Sequence, residues 1–106
     1  MRILEFNVEK QRLTKKPGCD FSGLVAGTVG YLHAKFYFQN EWDKCSTKIA
    51  RFWIGDEEHA KPLDADCCCE IPEEVLTGRK FEVSVIGAAP GYNIKTNKIN
   101  VRQVVY

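Results

Sequence analysis

Seven side chains in this sequence have the chemistry of metal ligands or nucleophiles: Cys19, Cys45, Cys67, Cys68, Cys69, His33 and His59. A tetrahedral zinc site is usually built from ligand pairs at short spacing, such as a repeated C-x2-C joined to histidines. No C-x2-C occurs, and each histidine stands alone. Zinc would need ligands converging from distant loops. Along an extended strand, neighbouring side chains point to opposite faces, so Cys67-Cys68-Cys69 is a poor chelate. The pattern predicts Cys67 and Cys69 on one face leading to Ile71, acting as small core hydrophobes. Cys68 then faces outward as the oxidation-prone thiol. An odd cysteine count without an export signal predicts a reduced chain rather than a disulfide framework.

A nucleophilic cysteine needs a base within hydrogen-bond reach. His33 and His59 are the available imidazoles, and no local signature ties either to a thiol. The GxSxG, HExxH, P-loop, GxGxxG and EF-hand patterns are all absent. Asp56, Glu57 and Glu58 fall in a polar stretch and read as a solvated loop. No residue emerges as catalytic, cofactor-binding or metal-ligating. The expectation is a non-enzyme without a cofactor.

The elements that position these groups follow a period of two. Leu4, Phe6 and Val8 alternate with Glu5, Asn7 and Glu9, the signature of a half-buried strand. Residues 11–14 make a short second strand, ended by the turn Lys15-Lys16-Pro17-Gly18. Residues 21–25 suggest an edge strand. In 31–38, Leu32, Ala34, Phe36 and Phe38 share one face, with Tyr31, His33, Lys35 and Tyr37 on the other. Trp42 lies in the polar stretch 40–46, placed either to dip into the core or to cap its end. In 47–54, Ala50, Phe52 and Ile54 face one way. Residues 56–66 read as an acidic, turn-rich loop and 67–71 as a short strand. Pro72-Glu73-Glu74-Val75-Leu76 carries the marks of one helical turn: proline first, acids next, and Gly78 as a stop. Phe81, Val83 and Val85 define a further strand. The stretches 92–95 and 99–105 close the chain as a pair or one interrupted strand.

Seven to nine short strands and one helical turn near Glu73 to Leu76 predict an all-β fold, an antiparallel sandwich or a small barrel. The 106 residues make a single domain, 1–106. With 44% hydrophobic and 27% charged residues, disorder and collagen-like repeats are excluded. About a dozen inward apolar side chains, each worth about 1.5–3 kcal/mol on burial, would hold such a core without disulfides. No apolar run approaches the roughly 18 residues of a membrane helix. Glu5 interrupts the position where a signal peptide carries its apolar stretch, so no secretion signal is expected.

The net charge of +1 conceals an uneven layout. Residues 56–74 hold eight carboxylates against Lys61, a balance of −7, which leaves +8 on the rest. Charged loops that keep the domain soluble explain this. So does head-to-tail self-association, an acidic end meeting a basic face. The basic residues are scattered rather than interleaved with aromatics in a stripe, so nucleic acid is not expected. Tyr31, Tyr37, Ile49 and Trp53 fall on the outward positions of their strands and form a candidate partner-contact surface. Asp56, Glu57 and Glu58 form a candidate acidic contact segment. The alternative is a carbohydrate-binding module with Trp53 and Tyr37 as its stacking platform.

The segment YLHAKFYFQNEWDKCSTKIARF (31–52) resembles the strand–loop–strand of small tail- or baseplate-associated proteins from prophages of Gram-positive bacteria. The segments CEIPEEVLTGRKFEVSVIG (69–87) and NIKTNKINVR (93–102) resemble the continuation and terminal strand of that group. The resemblance rests on core and turn residues, in the same order, from Tyr31 onward. It implies an immunoglobulin-like β-sandwich akin to the N-terminal domains of baseplate upper proteins. It also implies a structural part in the virion with no catalysis; the expected partners are proteins of that assembly or further copies of the chain, with no membrane. The expected location is the host cytoplasm during assembly and then the virion, as a stand-alone accessory protein or as a domain of a longer one. In that group Trp42 and Asp43 fit a loop that anchors the sandwich. The three consecutive cysteines exceed the group's pattern.

Overall fold

The computed structural model describes residues 1–106. Nine strands build two facing sheets, the expected sandwich. The first sheet contains β1 (Arg2–Glu9), β2 (Arg12–Lys15), β3 (Leu32–Phe38) and β6 (Cys68–Glu70), in the order β2-β1-β3-β6. The second contains β4 (Thr47–Ile54), β5 (Glu57–Pro62), β7 (Lys80–Ala89), β8 (Tyr92–Lys95) and β9 (Ile99–Arg102). Its order is β5-β4-β7, with β8 and β9 both pairing β7. Two short 3-10 turns, Asn40–Trp42 and Glu73–Val75, join strands. The second is the helical turn that the sequence predicts.

The period-two pattern determines the facing surfaces. Leu4, Phe6 and Val8 of β1 lie beside Ala34, Phe36 and Phe38 of β3, and all but Phe38 are fully buried. Phe6 and Phe36 stack with ring centres 5.1 Å apart. Across the sandwich, Ala50 and Phe52 of β4 pair with Val85 and Val83 of β7. Trp42 plugs one end of the core, fully buried, with Nε1 donating to the Lys10 carbonyl at 2.9 Å.

Four local expectations change. The pairing is antiparallel except for β1 and β3, which run parallel in register from Arg2↔Leu32 to Val8↔Phe38. A parallel pair needs a long return connection. β2 and the segment 16–31 supply it, tied back where the Arg2 guanidinium donates to the carbonyls of Asp20 (2.9 Å) and Ser22 (2.7 Å). Residues 21–25 do not form the expected edge strand. Gly23, at φ +68°, breaks the extended run, leaving one isolated bridge from Val25 to Val104. The acidic stretch 56–66 is not wholly a loop, because Glu57 and Glu58 begin β5, paired along β4. Charged residues hide this edge strand from a search for apolar alternation. Cys67 stands outside β6 in a left-handed turn at φ +60°, so it does not share a strand face with Cys69.

Candidate functional site

The four outward residues of the candidate contact surface do not form one surface. Tyr37 lies on the outer face of the first sheet, 38% exposed. Its hydroxyl donates to the Glu5 carboxylate, which raises its pKa above the ordinary phenol value. Lys16 and Lys35 hold their ammonium groups 5.1 and 5.3 Å from the ring centre. Ile49 and Trp53 lie on the outer face of the second sheet, both half-buried. Trp53 Nε1 donates to Ser84 Oγ at 3.2 Å. The Arg51 guanidinium and the Lys98 ammonium sit 4.8 and 3.7 Å from its ring. Arg51 in turn pairs with Glu58 at 2.9 Å. Trp53 is thus held within its own face by cations attracted to its π-system.

Tyr31 belongs to a third place, the end of the sandwich where β1 and β3 start. The Arg2 N–H donates to the Tyr31 carbonyl at 2.8 Å, which sets Met1 beside Tyr31. Here the loop 23–30 and the segment after β9 come together. Val104 N–H donates to the Leu24 carbonyl, and Ala26 N–H to the Val104 carbonyl, at 2.7 and 2.9 Å. Exposed apolar side chains meet at this end: Val25 and Tyr31 line one cavity and Val25 bridges Val104, while the exposed Val29 of the same loop lies beside Glu73, Glu74 and Thr77. A shallow cavity of about 150 Å³ opens among Arg2, Leu24, Val25, Thr28 and Tyr31. Beneath it, the buried Gln103 pins the segment by donating from Nε2 to the carbonyls of Gly78 (3.0 Å) and Val75 (3.4 Å). Sequence reasoning found Tyr31 and missed the valines, because Val25, Val104 and Val105 fell within the expected strands 21–25 and 99–105 and Val29 stood alone in a turn. No long-range signal joins them before folding.

Comparison with protein families, with characterised proteins and with solved structures gives no match.

The charge split takes a definite spatial form. Of residues 56–74, 56–70 run along one side of the sandwich, down β5, across to the first sheet through 63–67, and along β6, and Glu73 and Glu74 follow on the 3-10 turn beside Val29. The crossing is held by Asp64, whose Oδ1 accepts from the N–H groups of Asp66 (2.8 Å) and Cys68 (3.0 Å). All eight carboxylates of this segment are exposed, Asp56, Glu57 and Glu58 among them. The opposite side is formed by 10–16 with β2, and by 92–102 with β8 and β9. It carries seven basic residues and no carboxylate. Asn97 closes it by accepting from Leu13 N–H at 2.8 Å and donating to Leu13 O at 3.3 Å. One intramolecular ion pair between side chains of fixed charge forms in the whole chain, Arg51–Glu58, with a His59–Glu57 hydrogen bond beside it.

All five cysteines are free thiols. Cys69 turns inward beside Ala34, and burial pushes its pKa up to about 12. Cys68 faces outward beside Lys35, as expected, yet partial burial and then Asp64 raise its pKa as well. Cys45 is buried against Trp42 and Gly87. Cys19 accepts a hydrogen bond from Glu5 N–H at 3.3 Å. No three His, Cys, Asp or Glu side chains converge to hold a metal ion. No helix is long and apolar enough to cross a membrane.

Proposed function

We propose that this chain is a non-catalytic structural or assembly component of a phage or prophage tail or baseplate, working through protein–protein contacts. The observation that supports contact is the apolar end, where Val29 is 65% and Tyr31 48% exposed. Gathered apolar groups of this kind on a small domain gain free energy when a partner covers them. The resemblance of 31–52, 69–87 and 93–102 to prophage tail proteins supports the class of assembly, with the host cytoplasm and then the virion as the places of action. Glycan binding through Trp53 and Tyr37 has less support, since cations already lie over both rings.

Co-purification tests the reading. The tagged chain is co-expressed with the tail, baseplate and lysin-adjacent reading frames of its own locus. The expected result is a stable complex with a tail or baseplate protein, weakened at least tenfold by Val29→Asp with Tyr31→Ser. A locus without tail genes, or no complex with any product of those frames, overturns it.

A further inference from the structure

We propose that copies of this chain join side to side, the acidic side of one copy docking on the basic side of the next. The proposal deepens the contact reading above and rests on it, naming a second copy as the partner. Its basis is the arrangement of opposite charges on opposite sides of one molecule. The side built from β5 with its entry turn, 63–67 and β6 presents six exposed carboxylates, Asp56, Glu57, Glu58, Asp64, Asp66 and Glu70, against the half-buried Lys61. The side built from β2, β8 and β9 presents Arg12, Lys15, Lys95 and Arg102, all exposed, with Glu9 of β1 opposite Arg12 as the neighbouring carboxylate and Lys98 turned over Trp53. None of these four basic side chains forms an ion pair with an acid of its own chain, and neither do the acids outside the Arg51–Glu58 and His59–Glu57 pairs. Each side therefore repels itself, and a surface of opposite sign relieves that repulsion. A second copy brings such a surface for either side.

The mode of contact also follows. β5 is an edge strand of six residues that ends in Pro62. In register with Phe52 and Ala50, its His59 and Lys61 sit at core-facing positions. Inward charges and a terminal proline are devices that stop an edge from adding another strand. The contact is accordingly made by side chains, not by a shared β-ladder. Because the two surfaces differ, the contact is head-to-tail and generates a ring or an open filament rather than a two-fold dimer.

Sedimentation and light scattering of the purified chain at about 0.02 M and about 0.5 M salt test this. At low salt the mass is expected to rise with protein concentration. At high salt it returns to the 12.1 kDa monomer. The triple reversal Arg12→Glu/Lys95→Glu/Arg102→Glu stays monomeric alone, as does Asp56→Lys/Asp66→Lys/Glu70→Lys. An equimolar mixture of the two associates again. Circular dichroism checks that each variant is folded. A wild type that is monomeric at low salt up to about 1 mM overturns the proposal, as does association that survives high salt or the reversals. Those failures remove self-association alone, because loss of the tail-protein complex is read in a separate experiment.

Discussion

Gly87 is the position where one added methyl group should do most damage. It lies in β7 opposite Ile94, where the chain passes under the end plug of the core. A Cβ there would stand 2.7 Å from Cys45 Sγ and 2.8 and 2.9 Å from two ring carbons of Trp42. These separations are well inside van der Waals contact, and the groups they involve are not free ends. Trp42 is fully buried, and Cys45 is 6% exposed. To admit the methyl, the indole has to tilt and strain or lose its 2.9 Å bond to Lys10 O. Overpacking a close-packed core costs about 1–3 kcal/mol, and a hydrogen bond lost from a buried site about 1 kcal/mol. Gly87→Ala is therefore expected to destabilise by about 3 kcal/mol, which for a domain of this size lowers Tm by roughly 12–24 °C. Urea unfolding followed by tryptophan fluorescence and by circular dichroism measures it. Adding Cys45→Ala removes the closest of the three contacts and should restore part of the loss, leaving the clash with Trp42. A Gly87→Ala protein within 1 kcal/mol of wild type would refute this account of the plug.

Three further perturbations test other parts of the framework. Asn97→Ala removes both bonds to the Leu13 backbone and should cost about 1–3 kcal/mol, with amide exchange at Leu13 accelerated; unchanged protection at Leu13 would count against the closure. Gln103→Met leaves the carbonyls of Val75 and Gly78 unpaired but also removes the partnerless Oε1. A net loss of about 1 kcal/mol is expected in urea unfolding, and a variant more stable than wild type would show that the peg is dispensable. The Cys69 thiol stays protonated in the folded chain to about pH 12, against an ordinary value of 9.0. Above pH 9 the unfolded chain releases this proton and the folded chain keeps it. Stability should therefore fall with rising pH across that window, by up to about 1.4 kcal/mol per pH unit. Cys69→Val should remove this component, and an unchanged alkaline slope would refute it.

Much of the architecture was legible because alternation survives without tertiary context. The stripes Leu4-Phe6-Val8, Leu32-Ala34-Phe36 and Phe81-Val83-Val85 mark their strands directly, and all nine residues are buried. Pro72 and the acids after it mark the 3-10 turn. Trp42 was recognisable as an anchor, and the fold makes it the core's end plug. β5 was illegible because an edge strand with charged residues on both faces has no apolar period. The parallel pairing of β1 with β3 was illegible because alternation specifies a face, never a neighbour or a direction.

The candidate surfaces show the same division more sharply. The sequence alone determined the elements' faces, the −7 segment 56–74, and the outward positions of Tyr31, Tyr37, Ile49 and Trp53. Tertiary structure separated those four residues onto two outer faces and one end, since strands adjacent in sequence enter different sheets. It also brought Val25 beside Val104 and placed residues 10–16 next to 92–102, joined by Asn97 and Leu13. Local chemistry fixes which residues are acidic, basic or apolar. Only the packing of two sheets decides which of them share a side, because that depends on contacts between residues far apart in the chain.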